Sequence, residues 1–375
     1  MIDGRMIPVC EPTIGKDELK NVTNCIETNW ISSIGKYIKE FEEKFSKYCN
    51  AKHGITTNSG TTALHLALIS LDIGGGDEVI LPTLTMVATA DAVVYTGAKP
   101  VFVDSEPKTW NIDVKKIEEK INDKTKAIIP VHIYGHPVDM DAILEIAKKY
   151  NLYVIEDAAE AHGAEYKGKK VGCLGDIGCF SFYANKIITT GEGGMIVTND
   201  DEIAEKARLL KDLAHSKEKR FLHNFIGFNY RMTNLQAAVG VAQLEKIEKF
   251  VRMRRNNAML YNSLLGNIKG ITLPVEEEWA KNVYWMYSIL IEDDFGIDRD
   301  ELRIQLKKNG IETRTFFIPM HQQPIFKKMG LSEGNCPVAD ELSRKGLYLP
   351  SSSSLTEKDI RFVCQNIKKI KESLQ

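Results

Sequence analysis

Apolar residues recur at helical spacing near the start of the chain. Ile38, Phe41, Phe45 and Tyr48 fall three or four apart, and residues 14–29 and 36–48 read as two amphipathic helices. The pattern then changes. HGIT precedes a helix from about Gly60 to Leu71, and EVILP precedes one from about Val87 to Tyr95. PVFVD leads to a helix near Val114–Ile121, and AIIPVHIY to one near Met140–Tyr150, followed by LYVIED. Short apolar runs alternating with helices predict a parallel sheet covered by helices on both faces. Ligands on such sheets sit beyond the carboxyl ends of the strands. Asn58–Thr62, Thr83–Met86, His132–Gly135 and Asp157–Glu160 are therefore expected to converge on one crevice.

From about Ile203 the pattern is mainly helical, with one long helix expected over Met232–Phe250. After Lys269 it becomes strand (VYWMYSILI), helix (Asp298–Asn309), strand (IETRTFF), then helices near Val338–Lys345 and Glu357–Lys371. The fold class is α/β. The expected organisation is a large domain over residues 1–250, including the N-terminal helices, and a smaller α/β domain over 251–375 that covers the crevice.

Composition narrows the function. A formal net charge of −2 leaves no basic excess for nucleic acid or a membrane surface. No apolar run approaches the roughly 20 residues needed to span a bilayer, and the first residues lack a signal-peptide pattern. Seven scattered cysteines without a CxxC pair fit free thiols, so a cytoplasmic protein is expected. No metal site is expected. His132 and His136 are four apart, but Gly135 and Pro137 make a poor helix there, so the two imidazoles do not share a face.

The chemistry concentrates in SFYANKIITTGEGGMI, Ser181–Ile196, where Lys186 stands between Ser181 and a Gly-Glu-Gly-Gly turn. A lysine in a small, aromatic-lined turn loses solvation, its pKa falls, and its amine becomes a nucleophile for carbonyls. Pyridoxal phosphate (PLP) enzymes hold their cofactor on such a lysine. Asp157 ends the apolar strand VIED, where a buried carboxylate needs a cation such as a pyridinium nitrogen, or else caps a loop. TNSGTTALHLAL, Thr57–Leu68, opens a helix with a Gly/Ser/Thr turn. Its free amides and the helix dipole suit an anion, though a plain N-cap has the same composition. Ser181 is a further hydroxyl donor for a phosphate.

With these residues in place the chain resembles the DegT/DnrJ/EryC1/StrS sugar aminotransferases, PLP enzymes of the aspartate aminotransferase fold (fold type I). SGTTALHLAL, PVHIYGHPVDM, IEDAAEAHGA, SFYANKIITTGEGGMI and GFNYRMTNLQAAVG carry the likeness, which runs from Ile7 to Leu349 and beyond. The resemblance implies that Lys186 holds PLP as a Schiff base and moves protons, and that Asp157 pairs with the ring nitrogen. It places Glu160 near the phenolic oxygen, and the Gly60-Thr61-Thr62 turn with Ser181 on the phosphate. It implies a homodimer in which Asn229 reaches the phosphate of a second subunit and Arg231 serves the interface or site. Both residues also fit structural caps or bridges. Relatives carry an aromatic residue over the cofactor ring in a segment such as TFVAT. Here TMVAT puts Met86 there, whose polarizable sulfur packs on rings less extensively.

Within the family, Thr28–Glu42 and the lysine turn look most like the branch that aminates GDP-4-keto-6-deoxymannose with L-glutamate. Branches acting on UDP- or dTDP-linked keto sugars share the W-[IV]-S-S-x-G pattern. Trp30, Ser32 and Ser33 are thus candidate contacts to the nucleotide-linked sugar, although Trp30 also fits a core anchor for the N-terminal helix. Arg314 and His321 match positions where relatives meet substrate. Arg314 offers a bidentate fork for a diphosphate or carboxylate, or a salt bridge between domains. A dehydratase of the same scaffold would carry histidine in place of Lys186. A non-catalytic regulator would not need Lys186, Asp157 and Ser181 together, and GEGG is not the GxGxxG of a dinucleotide fold.

Overall fold

A computed structural model describes residues 6–216, 218–219, 221–332 and 334–374. Two amphipathic helices, α1 (Lys16–Glu27) and α2 (Lys36–Tyr48), precede the first strand. The central sheet is built from β1 (His53–Thr57), β2 (Glu78–Pro82), β3 (Lys99–Val103), β4 (Thr125–Ile128), β5 (Tyr153–Asp157), β8 (Ile177–Ser181) and β9 (Gly194–Thr198). The short strands β6 (Glu165–Tyr166) and β7 (Lys169–Lys170) form a separate hairpin between β5 and β8. The order across the central sheet is β1-β9-β8-β5-β4-β2-β3. Only β9 runs against its neighbours; the other six strands are parallel.

Strand periodicity sorts the side chains between two cores. Val79, Leu81, Ile155, Ile177 and Ile196 pack with α3 (Gly60–Ser70), α4 (Val87–Tyr95) and α6 (Asp201–Lys211) on one face. Ile80, Ile128, Val154, Phe180 and Val197 pack with α2, α5 (Met140–Tyr150) and α7 (Asn234–Leu244) on the other. The helices α4 and α5 have the expected boundaries.

Three expectations are corrected. Residues 114–121 form two 3₁₀ turns, because only Ile117 among them is buried and a single anchor holds the segment. The long helix expected over Met232–Phe250 is two helices, α7 and α8 (Ile247–Leu265). Thr233 and Gln236 make a capping box that starts α7 after Met232. The chain then breaks where Gln243 and Lys246 both bind Glu18 of α1. Finally, VYWMYSILI is strand only over β12 (Tyr287–Ile291). Ahead of it Tyr284 has a φ of 47°, and the Val283 amide bonds to Gly135 O instead of a ladder.

The smaller sheet has the order β10 (Ile271–Thr272), β12, β14 (Gly346–Leu349), β13 (Arg314–Thr315), all antiparallel. The strand β11 (Ala280–Lys281) instead extends the β6–β7 hairpin. The helices α9 (Arg299–Lys308) and α12 (Glu357–Glu372) pack on the small sheet through a third core, which includes Leu302, Leu306, Val363 and Ile367. The helices α10 (Pro324–Lys328) and α11 (Pro337–Lys345) lie between α9 and α12 in the chain. The helix α8 crosses residue 250 without a break. Its Ile247, Phe250 and Val251 join one core of the large sheet, and its Ala258, Tyr261 and Leu265 join the small one. Ile7 also joins the small core and bridges to Ile311, so the two ends of the chain share it. Among the described residues no helix is long and apolar enough to cross a membrane.

Candidate active site

A cavity of about 460 Å³ opens at the carboxyl ends of the parallel strands. The segments that follow β1, β2, β4, β5 and β8 line it, as the strand order predicts. The roof comes from the smaller sheet and its approaches: Trp285, Met286, Arg314, Phe317 and Tyr348. Of the residues singled out in the sequence, Gly60, Thr61, Met86, Asp157, Glu160, Ser181, Lys186 and Arg314 line this one space.

The anion cradle is local. Ser59 caps α3, its hydroxyl accepting from the Thr62 amide at 3.2 Å. Thr62 closes the capping box, and its hydroxyl donates to Asn58 Oδ1 at 2.7 Å. Thr62 is therefore occupied by the cap and does not line the cavity. The amides of Gly60 and Thr61 enter no hydrogen bond among the described residues, and both face the start of a helix dipole. A Cβ on Gly60 would stand 2.7 Å from Ser181 Cβ, so glycine is what lets the helix start approach the end of β8.

Asp157 closes β5 at 4% exposure. Its Oδ2 accepts from the Thr89 hydroxyl at 2.7 Å and its Oδ1 from the Ala159 amide at 3.2 Å. Burial raises its pKa against those hydrogen bonds and the nearby Lys186. Glu160 is pushed up to about 7 by burial, although the Tyr134 amide donates to its Oε2 at 2.8 Å. Tyr134 delivers that amide from a left-handed conformation, with φ of 55°, which a bulky side chain rarely adopts. Lys186 is half-buried. Burial pulls its amine pKa down, and the charges of Glu160 and Asp157 partly oppose this. The Nζ atom lies 3.9 Å from the centre of the Trp285 ring.

Other predicted residues lie elsewhere. Trp30 is 54% exposed, which removes the core-anchor reading. It lines a separate surface hollow with Asn24, Ile34 and Asn234. The carbonyls of Trp30 and Ser32 accept from the side chain and backbone of Asn234, and Ser33 continues this loop. Asn229 is exposed; its Oδ1 accepts from Arg231 Nε at 3.0 Å, and Arg231 pairs with Asp212 at 2.9 Å. His321 is 9% exposed, held between Thr83 Oγ1 at 2.7 Å and Asp340 Oδ1 at 3.0 Å, away from the cavity lining. Arg314 lies 3.8 Å from Glu312, two residues earlier in the chain. His132 binds Glu156, and His136 binds Pro137 O, so the two imidazoles point to different partners.

Thr89 and Trp285 were not foreseen. Thr89 stands one turn after Met86 as a hydroxyl in the otherwise apolar start of α4, a readable signal. Trp285 is hidden in an unbroken apolar run.

A profile of the DegT/DnrJ/EryC1/StrS aminotransferases matches residues 12–368. The chain belongs to this family. It is 47% identical over 361 residues to a GDP-perosamine synthase of Caulobacter vibrioides, covering 96% of this chain and 97% of the relative. It is 44% identical over 363 residues to the GDP-perosamine synthase of Escherichia coli O157:H7, covering 97% and 98%. The PLP form of a sugar aminotransferase candidate from Streptococcus pneumoniae superposes with a TM-score of 0.92 at 26% identity, over 99% of this chain and all of that one. As a DegT/DnrJ/EryC1/StrS member, the chain is a PLP-dependent aminotransferase with the type I fold. Three features of the cavity fit the cofactor. Among the described residues, unbonded amides at a helix start suit a phosphate, a buried acid with no cation in hydrogen-bond contact suits a pyridinium, and an amine of lowered pKa suits an aldehyde.

Proposed function

We propose that this enzyme transfers the amino group of L-glutamate to the 4-keto carbon of GDP-4-keto-6-deoxymannose, giving GDP-perosamine and 2-oxoglutarate. The observation that supports it most is the near full-length likeness to two GDP-perosamine synthases. Aminotransferases for UDP- or dTDP-linked keto sugars are the alternative that the test below addresses.

PLP, when bound, supplies the electron sink that makes a carbon next to nitrogen acidic. The residues of the chain do the rest. Gly60, Thr61 and Ser181 hold the phosphate through amides and a hydroxyl. Asp157 keeps the ring nitrogen protonated, and Thr89 fixes that carboxylate in line. Met86, the residue that precedes α4, lines the same cavity and would pack against the cofactor ring. Lys186 Nζ takes the proton from the α-carbon of glutamate and, in the second half reaction, returns one to C4 of the sugar. Burial lowers the amine pKa of Lys186, which favours the neutral form that a base requires. Glu160 sits between its two protonation states near neutral pH and can hold a proton beside the phenolic oxygen. Arg314 opens onto the cavity as a fork for a carboxylate or diphosphate.

The enzyme acts as a homodimer in this reading, within the cytoplasm, and supplies an amino sugar for O-antigen and lipopolysaccharide synthesis. Trp30, Phe225 and Ile226 are exposed apolar residues near Asn229 in the chain or beside Asn234 in space, and they suit a subunit contact. Asn229 and Arg231 then serve the partner's phosphate, and Trp30, Ser32 and Ser33 its sugar nucleotide. His321 ties Thr83, just after β2, to Asp340 on α11, at the flank of the cavity instead of in its lining.

The test is to incubate the enzyme, PLP and glutamate with GDP-, UDP- and dTDP-linked 4-keto-6-deoxy sugars and identify the amino sugar formed. Turnover with a UDP or dTDP sugar and none with the GDP sugar would overturn the substrate. Lys186→Ala is expected to lose at least about 10³-fold in turnover, since it removes both nucleophile and base.

A further inference from the structure

Two contacts from a single indole meet at Lys186. Trp285 is 4% exposed and lies just ahead of β12. Its ring face stands 3.9 Å from Lys186 Nζ, and its Nε1–H donates to Asn185 O at 2.9 Å. The same carbonyl accepts from Cys10 Sγ at 3.3 Å. The indole is itself held. Arg254, on α8 between the residues of the two cores, donates from Nη1 to Trp285 O at 2.7 Å and to Ser351 O at 2.6 Å. Its Nε reaches Ser353 Oγ at 3.2 Å, and its Nη2 lies 3.5 Å from Cys10 Sγ. Gly135 makes room for this segment, since a Cβ there would stand 2.9 Å from Trp285 N.

We propose that Trp285 is a positioning residue for Lys186: the indole face holds the free ammonium, and the indole N–H fixes the carbonyl that precedes it. Lysine ends on a flexible stem, so a free amine without such a seat would spread over several rotamers. An ammonium over an indole face is stabilised by the ring quadrupole, more so away from water. Asp157 and Glu160 act on the same amine from the end of β5, and Cys10 from the N-terminal segment. His162 lies within electrostatic reach, and Glu192 and Arg314 line the same cavity. Those groups set the charge around the amine, and Trp285 sets its place.

The proposal rests on Lys186 as the reactive amine and is independent of which sugar is used. Its test reads that amine directly. The full-length protein, stripped of PLP, is pulse-labelled with acetic anhydride across a pH series. Acetylation at Lys186 is followed by peptide mass spectrometry to give the pH of half protonation. Trp285→Leu is expected to lower that midpoint by about half a unit to one unit, and Trp285→Phe, which keeps a weaker ring, by less. Midpoints equal to the parent in both variants overturn the proposal. Should the leucine variant fail to fold, the phenylalanine variant decides. A second measurement leaves Trp285 in place: tryptophan emission of the PLP-free protein should step with pH at the Lys186 midpoint, and Lys186→Met should abolish the step. A parent protein with no step also overturns the proposal. Failure of the sugar panel would leave these midpoints unchanged, and unmoved midpoints would leave the sugar assignment standing.

Discussion

Glu156 and Asp157 are neighbours on β5, both almost fully buried, and their surroundings are opposite. Strand geometry sends them to opposite faces of the sheet. Glu156 accepts four hydrogen bonds: from the Leu174 and Gly175 amides on one oxygen, and from the Gly172 amide and His132 on the other. Every lone-pair direction of that carboxylate is used by the protein. Asp157 receives one hydroxyl and one amide, and opens onto the cavity. A buried acid that the protein saturates is structural, whereas one left half-satisfied in a cavity is built for a cation from outside. The same contrast recurs at Glu42, which is buried but engaged by Lys211, Arg208 and Thr56.

Removing the charge from each neighbour breaks the comparison most directly. Asp157→Asn should lower turnover by about 10³-fold, the kinetic equivalent of roughly 4 kcal/mol for an ion pair at 4 Å with an effective dielectric near 20. Its thermal midpoint should stay close to that of the parent. Glu156→Gln should do the reverse. The new NH₂ group would face amides that need an acceptor, costing about 3 kcal/mol in urea unfolding while activity per folded molecule is kept. A Glu156→Gln variant that folds well but is inactive would contradict the division between the two faces.

The next effect belongs to His162, packed among Phe45, Phe180 and Phe182 with neither ring nitrogen hydrogen-bonded among the described residues. Burial pulls its pKa down to about 3. The unfolded chain then binds a proton that the folded one refuses, so stability present above pH 6.5 is lost as pH falls towards 3. The slope is about 1 kcal/mol per pH unit, and His162→Phe should flatten it in urea titrations at pH 6 to 4.

Glu160 follows, with the opposite sign. Its folded pKa of about 7 lies above the ordinary 4.5, so the stability it contributes is full below pH 4.5 and is lost as pH rises through 7. Glu160→Gln should therefore stabilise the PLP-free protein by about 3 kcal/mol at pH 8 and by nothing at pH 4, read from unfolding at the two pH values.

Much of this was legible in the chain because the signals are local. A Gly/Ser/Thr turn before an apolar helix predicts free amides at Gly60 and Thr61, and an acid at the end of VIED predicts a carboxylate at the crevice. Strands alternating with helices predict that both meet at one edge of the sheet. Sequence singled out Asp157 by its place at the strand end, but did not show what satisfies Glu156, the acid one position earlier in the same strand. The difference lies in partners 16 to 19 residues later for Glu156 and 68 residues earlier for Asp157. Thr62, expected on the phosphate, is taken by the cap of its own helix. Met232–Phe250 reads as one helix, because the contacts that break it come from Glu18.

By itself, then, the sequence determined the α/β class and the alternation of strands and helices, and it marked Lys186, Asp157, Ser181 and the Gly60 turn as candidates, since periodicity and turn chemistry act over a few residues. Only the tertiary structure decided which buried acid is left open, that Thr89 steers it, and that Trp285, just ahead of β12, lies against Lys186. Those choices depend on which distant atoms reach hydrogen-bonding range once two sheets and the helix α8 are packed together.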